Sequence, residues 1–197
     1  NQADQQPDGE DPTVNDLLRQ LQSGNELLSA AAAQALRRIG DRALQQPITD
    51  LNHEQPARRS GAAWTLGIIS SPSAVPALQK ALLDHNPDVR SNAAWALGHI
   101  GHMSALPGLL HALTEDPNPD VRQAAARALG HVGHTDALSG LIRALKDEVW
   151  QVREIVAQAL GTLRSPEAIN ALEEALADDE SRVRRAAADA LRDIESR

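Results

Sequence analysis

One phrase returns about every 31 residues, and a chain with that period is a row of stacked units rather than one globular core. It reads Arg58-Arg59-Ser60-Gly61-Ala62-Ala63-Trp64-Thr65-Leu66-Gly67, then Val89-Arg90-Ser91-Asn92-Ala93-Ala94-Trp95-Ala96-Leu97-Gly98. Further copies run from Val121 to Gly130, from Val152 to Gly161 and from Val183 to Arg192, and a degenerate first copy from Leu28 to Arg37. Units this short cannot bury an apolar face alone, so each must stack on its neighbours.

Composition makes the units helical. Aromatic residues are 2% of the chain, with no Phe or Tyr, whereas Ala and Leu dominate. Ala has the best helix propensity and packs closely, and β-rich folds need the β-branched and aromatic residues that are scarce here. The net charge is −8, of which residues 1–26 carry −5 and the remaining chain only −3. Neither part has the basic field that nucleic-acid binding requires. No apolar run approaches the roughly 18 residues of a membrane-spanning helix. With no cysteine, disulfides, thiolate metal sites and a Cys nucleophile are excluded. The chain starts at Asn1 rather than Met, so a mature extracytoplasmic form (periplasmic or secreted) or a piece of a longer protein is expected. Residues 1–12 are acidic and aperiodic and read as a disordered tail or linker, leaving 13–197 as the repeat array.

Each unit reads as two antiparallel helices. In the third, Ser73 to Leu83 puts Val75, Leu78 and Leu82 on one face, and Asn86-Pro87 opens a second helix with Ala93, Ala94, Leu97 and Ile100 inward. Pro87 and Pro119 are tolerated near first turns, where the amide has no intrahelical partner. Gly40, Gly101 and Gly133 follow the last apolar residues, as left-handed C-caps do. Ser71 and Ser165 stand before prolines as N-caps, and Asp41, His102 and His134 occupy the same slot.

A second regularity links carboxylates to guanidinium groups. Asp84 precedes Arg90 by six residues, as Asp116 does Arg122, Asp147 does Arg153 and Asp178 does Arg184. The spacing runs from the end of a first helix, round the turn, into the second, and predicts a ladder of pairs within those turns. Recurrence in four successive units assigns it to architecture rather than to acid–base catalysis. In the second unit His53 replaces the Asp and Arg58 the Val, which leaves that rung in doubt.

The Asp-x5-Arg spacing, the phrase Val-Arg-x-x-Ala-Ala-x-Ala-Leu-Gly and the period together resemble HEAT repeats, most closely the short subclass of phycobilisome lyase subunits. The resemblance covers about residues 26–197 and is weakest in the first unit. It implies an all-α, right-handed α-solenoid of about six two-helix units, with second helices lining the concave side. It does not imply one activity. HEAT-repeat deoxyhypusine hydroxylases carry several His-Glu pairs for two irons; this chain has one, His53-Glu54. No residue singles out a tetrapyrrole site, and no phosphate loop, nucleophile elbow or His-Glu-x-x-His helix occurs.

In such repeats the second-helix positions not needed for packing face the groove. Trp64 and Trp95 share one slot in adjacent units, and Arg127 and Gln158 continue it; Asn92, Gln123 and Glu154 lie one turn away, and Trp150 at a second-helix start. Trp and Arg are the residue types most enriched in binding hot spots. The rings either face a partner or fill the narrow interior of an Ala-rich stack. The repeated Gly-His-x-Gly-His places His99, His102, His131 and His134 on successive turns. Equivalent histidines lie about one repeat apart, roughly 10 Å, far beyond shared zinc coordination at about 2 Å, so capping is the simpler role. The expectation is a non-catalytic, monomeric scaffold without cofactor, binding a protein or peptide on the concave face and serving as an accessory domain of a longer protein. The alternative is a lyase-like tetrapyrrole-binding subunit or a metal-binding HEAT-repeat enzyme component.

Overall fold

The computed structural model describes residues 12–196, and within them all regular structure is helical. The expected tail lies outside the described residues except for Pro12, which opens the first helix. Six helix pairs follow: α1 (Pro12–Leu21) with α2 (Glu26–Ile39), α3 (Gln45–Asp50) with α4 (Pro56–Ile69), α5 (Val75–Ala81) with α6 (Pro87–Ile100), α7 (Leu106–Glu115) with α8 (Pro119–Val132), α9 (Leu138–Ala144) with α10 (Trp150–Leu163), and α11 (Ile169–Ala175) with α12 (Ser181–Glu195). From the second pair onward a 3₁₀ turn leads into the first helix, so the helix predicted over Ser73–Leu83 divides into a turn at Pro72–Ala74 and α5. No described helix is long and apolar enough to cross a membrane.

The caps follow from the residue types. The side chains of Asn86 and Asn118 accept hydrogen bonds from the second and third amides beyond them, just before Pro87 and Pro119. Gly101 and Gly133 close α6 and α8 in the left-handed conformation at φ 70°. At the equivalent ends of α4 and α10 the chain places Ser70 and Arg164 at φ 58° and 50°, where a side chain is sterically strained. Asp41 departs from the expected capping role: it lies inside a 3₁₀ turn and accepts from the hydroxyls of Ser71 and Ser73. Those bonds hold its carboxyl below the usual range.

Packing differs between the two layers of helices. Leu66, Leu97, Leu129 and Leu160 are fully buried at the centres of consecutive second helices. Beside each stands a glycine that lets the next helix approach closely. A Cβ on Gly98 would lie 2.6 Å from the Cα of Ala128, one on Gly130 3.1 Å from that of Ala159, and one on Gly161 2.9 Å from that of Ala190. Second helices therefore touch along their lengths, whereas first helices contact one another sparsely and leave open clefts between them. The stack is thus packed tightest along its second helices, the layer expected to line the concave side.

The ladder differs from the predicted pairing. Each arginine grips the carboxylate of the following unit, not of its own. Arg90 donates through Nε and Nη2 to both oxygens of Asp116 at 2.7 and 2.8 Å, and Arg122 to Asp147 at 2.8 and 2.9 Å. Arg153 grips Asp178 likewise, and Arg59 grips Asp84, so the second unit has its rung despite His53 and Arg58. Toward its own unit each arginine uses Nη1, donating to the backbone carbonyl of the residue six positions back, as Arg90 does to Asp84 at 2.8 Å. The aspartate in turn accepts the amide two residues on, Asn86 for Asp84, and His53 does the same for Gln55 through Nδ1. One side chain thus closes a turn and bolts two units together, which a six-residue spacing alone cannot reveal. Arg184 donates to the carbonyls of Asp178 and Asp179 and, among the described residues, pairs with no carboxylate.

Candidate functional site

Three rows of side chains run across the second helices: Ser60, Ser91, Gln123, Glu154 and Arg185; Trp64, Trp95, Arg127, Gln158 and Asp189; Ile68, His99, His131, Thr162 and Asp193. Within them Trp64 and Trp95 stack with ring centroids 6.5 Å apart and planes 18° from parallel. His99, one helical turn beyond Trp95, stacks on it at 5.0 Å and 17°. Both tryptophans are half-buried and packed against the core, so each ring has one edge in the stack and another at the surface. Facing a partner and filling the interior are therefore not exclusive for them.

Arg37 was not among the residues expected to act here. From the end of α2 it donates through Nε to the carbonyl of Ile68 at 2.8 Å and through Nη2 to His99 Nε2 at 3.1 Å. A guanidinium only donates, so Nε2 of His99 is the acceptor and the ring is neutral. Burial, then the positive charge of Arg37, and then His131 hold the imidazole below its ordinary pKa. The signal was present in the sequence: Arg37 occupies the slot that is Gly67, Gly98, Gly130 and Gly161 in the next four units.

That substitution has a packing consequence. Arg37 stands where later units set Gly against Ala of the next helix, and α2 packs far more sparsely on α4 than later second helices do on one another. A cleft of about 660 Å³ lies beside this joint, between α1, α3 and α4. Leu18, Pro47, Ala57, Gly61 and Trp64 line it, with Arg19, Arg58 and Asp50 among the polar residues around it. A Cβ on Gly61 would meet nothing within 4 Å. The cleft adjoins Trp64 from the first-unit side, opposite Trp95.

The remaining predicted residues divide. Arg127 is exposed and makes no ion pair among the described residues. Glu154 and Gln158 line a second cleft, of about 550 Å³, with Arg182, Arg185, Asp189 and Asp193. Asn92 is committed to packing, donating its amide to Ser60 Oγ at 2.7 Å, and Gln123 donates to Asp120 at 3.4 Å. Trp150 lies apart from the Trp64–Trp95 column, at the start of α10 beneath Arg182, whose guanidinium carbon is 5.3 Å from the ring centroid. His102 and His134 cap 3₁₀ turns by accepting the amides of Ser104 and Asp136. Among the described residues no three His, Asp or Glu side chains converge as a metal site would require.

A family model of HEAT repeats matches residues 46–124 and 106–192. Among solved structures, the complex of CpcE and CpcF of phycocyanin lyase from Nostoc sp. PCC7120 is 32% identical with a TM-score of 0.70, over 78% of this chain and 65% of that one. The chain thus spans just under two thirds of that relative's length. The Escherichia coli protein YibA matches the whole chain and 79% of its own at 22% identity and a TM-score of 0.67. A designed armadillo repeat protein in complex with the peptide (KR)4 matches 92% of this chain and 99% of its own, at 20% identity and a TM-score of 0.62. These last two show likeness of fold. No curated protein matches the sequence. With six stacked helix pairs and a family model covering most of the array, the chain belongs to the HEAT-repeat family.

Proposed function

We propose that the protein is a non-catalytic interaction module whose concave ridge, centred on Trp64, Trp95 and Arg127 with Gln123, Glu154 and Gln158 beside them, binds a peptide or protein surface. The observation that carries this is the Trp64–Trp95–His99 stack, half-exposed on the closely packed face. Its mechanism is preorganisation: a stiff array holds large side chains in place before binding, so little ordering entropy opposes association. The architecture is that of solenoid scaffolds, and both the CpcE–CpcF pair and the designed armadillo protein are seen with polypeptide partners. The test is affinity capture by wild type and by Trp64→Ala/Trp95→Ala, after circular dichroism shows equal folding. A partner held by wild type and lost by the variant supports the ridge; one held equally by both refutes it.

The likeness to phycocyanin lyase subunits favours a second reading, a component of a lyase-type complex acting on a tetrapyrrole. The cysteine-free chain offers no thiol for covalent tetrapyrrole attachment, so any such role concerns a passing ligand. Visible absorbance after incubation with a bilin separates the readings: a shifted, red-enhanced spectrum supports the second, and an unchanged bilin spectrum the first.

A further inference from the structure

The ridge is chemically uneven along its length. In units two to four its three rows contain tryptophan, histidine, arginine and small polar groups but no carboxylate, and Arg37 adds a second guanidinium beside His99. In units five and six the same rows hold Glu154, Asp189 and Asp193 against Arg185. Asp88 and Asp120 lie one turn back, in the first turns of α6 and α8, and Asp120 accepts from the Gln123 amide. On a chain of net charge −8, the rows of units two to four hold no carboxylate themselves, are bordered by Asp88 and Asp120, and end at Arg127, exposed and without an ion pair among the described residues.

The cleft beside Trp64 stands at the opposite end of that stretch. Gly61 leaves it without a side chain where later units carry Asn92, Ala124, Ile155 and Ala186, and one side of Trp64 adjoins it. A planar ring inserted there would continue the Trp64–Trp95–His99 column. From Trp64 to Arg127 is two units, about 20 Å at the usual helix-to-helix distance, or roughly six residues of extended chain.

We propose that the ridge selects an extended peptide bearing an aromatic side chain and a carboxylate about six residues apart, the ring entering the cleft beside Trp64 and the carboxylate meeting Arg127. This rests on the ridge being the partner face, and adds what the partner must carry. Shape comes from the open cleft beside Trp64, and charge selection from Arg127 in rows that hold no carboxylate in units two to four.

The test uses fluorescein-labelled peptides and anisotropy. A Ser/Pro peptide with one Phe and an Asp pair six residues away, made in both orders, is compared with versions carrying Lys for Asp, Ser for Phe, or the Asp pair beside the Phe. One order of the long-spaced acidic peptide is expected to bind at least about tenfold more tightly than every control, a difference of about 1.4 kcal/mol. Gly61→Leu, whose side chain fills the cleft from an open position, and Arg127→Glu, at an exposed and unengaged site, should each abolish that margin. Arg127→Glu should also turn the preference toward the lysine peptide. Equal binding of all versions, absence of binding by both orders, or indifference to Gly61→Leu and Arg127→Glu overturns the proposal. If the lysine or short-spaced peptide binds best and Trp64→Ala/Trp95→Ala removes it, this inference fails while the ridge stands. If bound peptides are indifferent to that double variant, both fall.

Discussion

At the scale of single residues, stability is concentrated in the arginines that bolt units together. The side chains of Arg122 and Asp147 are only 8% and 10% exposed, so removing one strands the other in a poorly solvated place. Arg122→Ala is therefore expected to cost about 2–4 kcal/mol in urea unfolding of this chain, while Arg184→Ala, whose arginine pairs with no carboxylate among the described residues, should cost under about 0.5 kcal/mol. Equal losses would contradict the inter-unit pairing. The same bonds make stability acid-sensitive. The hydrogen bonds from Arg59 and Arg153 hold Asp84 and Asp178 below the ordinary carboxylate pKa. Groups lowered on folding stabilise above their unfolded pKa, about 3.9, and lose that contribution as pH falls through the folded value. The melting temperature should thus drop between about pH 4 and pH 2, and less steeply in an Arg59→Gln/Arg153→Gln variant. The rung residues were legible in the sequence, but their partners were not: a recurring i, i+6 spacing is equally satisfied by a side-chain pair within a turn and by a carbonyl contact within it.

At the scale of helices, glycine decides how closely neighbours approach. Gly98→Ala drives a methyl group into the backbone of α8 and should destabilise by about 1–3 kcal/mol, whereas Gly61→Ala, in open space on α4, should stabilise by about 0.5–1 kcal/mol. Thermal melts of the two variants check both signs. Helix positions, proline-led first turns and left-handed ends at Gly101 and Gly133 were readable because each follows from local chemistry. The role of the glycine closing each Leu-Gly pair, such as Gly98 or Gly130, was hidden because its reason is the next helix rather than its own. The split of first helices into a 3₁₀ turn and a short helix was likewise hidden, since both satisfy the same spacing of Val75, Leu78 and Leu82.

At the scale of the whole molecule, a regular stack of helix pairs packed tightest along its second helices is interrupted at the first joint. The period and the repeated phrase made the array of two-helix units legible. The stack of Trp64 and Trp95 could be anticipated from their shared slot, but not the addition of His99 and Arg37, which join three different units. The cleft was invisible for the same reason: α1, α3 and α4 line it together, and it appears only when the helices are set side by side. Both the proposed interaction module and the selected peptide depend on the ridge as the partner face. Hydroxyl-radical footprinting of the free protein and of its captured complex tests this directly, because tryptophan oxidises readily and Met103, 57% exposed at the edge between α6 and α7, reports from elsewhere on the surface. Oxidation of Trp64 and Trp95 is expected to fall severalfold in the complex while that of Met103 is unchanged; protection of Met103 with both tryptophans still oxidised would contradict the ridge as the partner face.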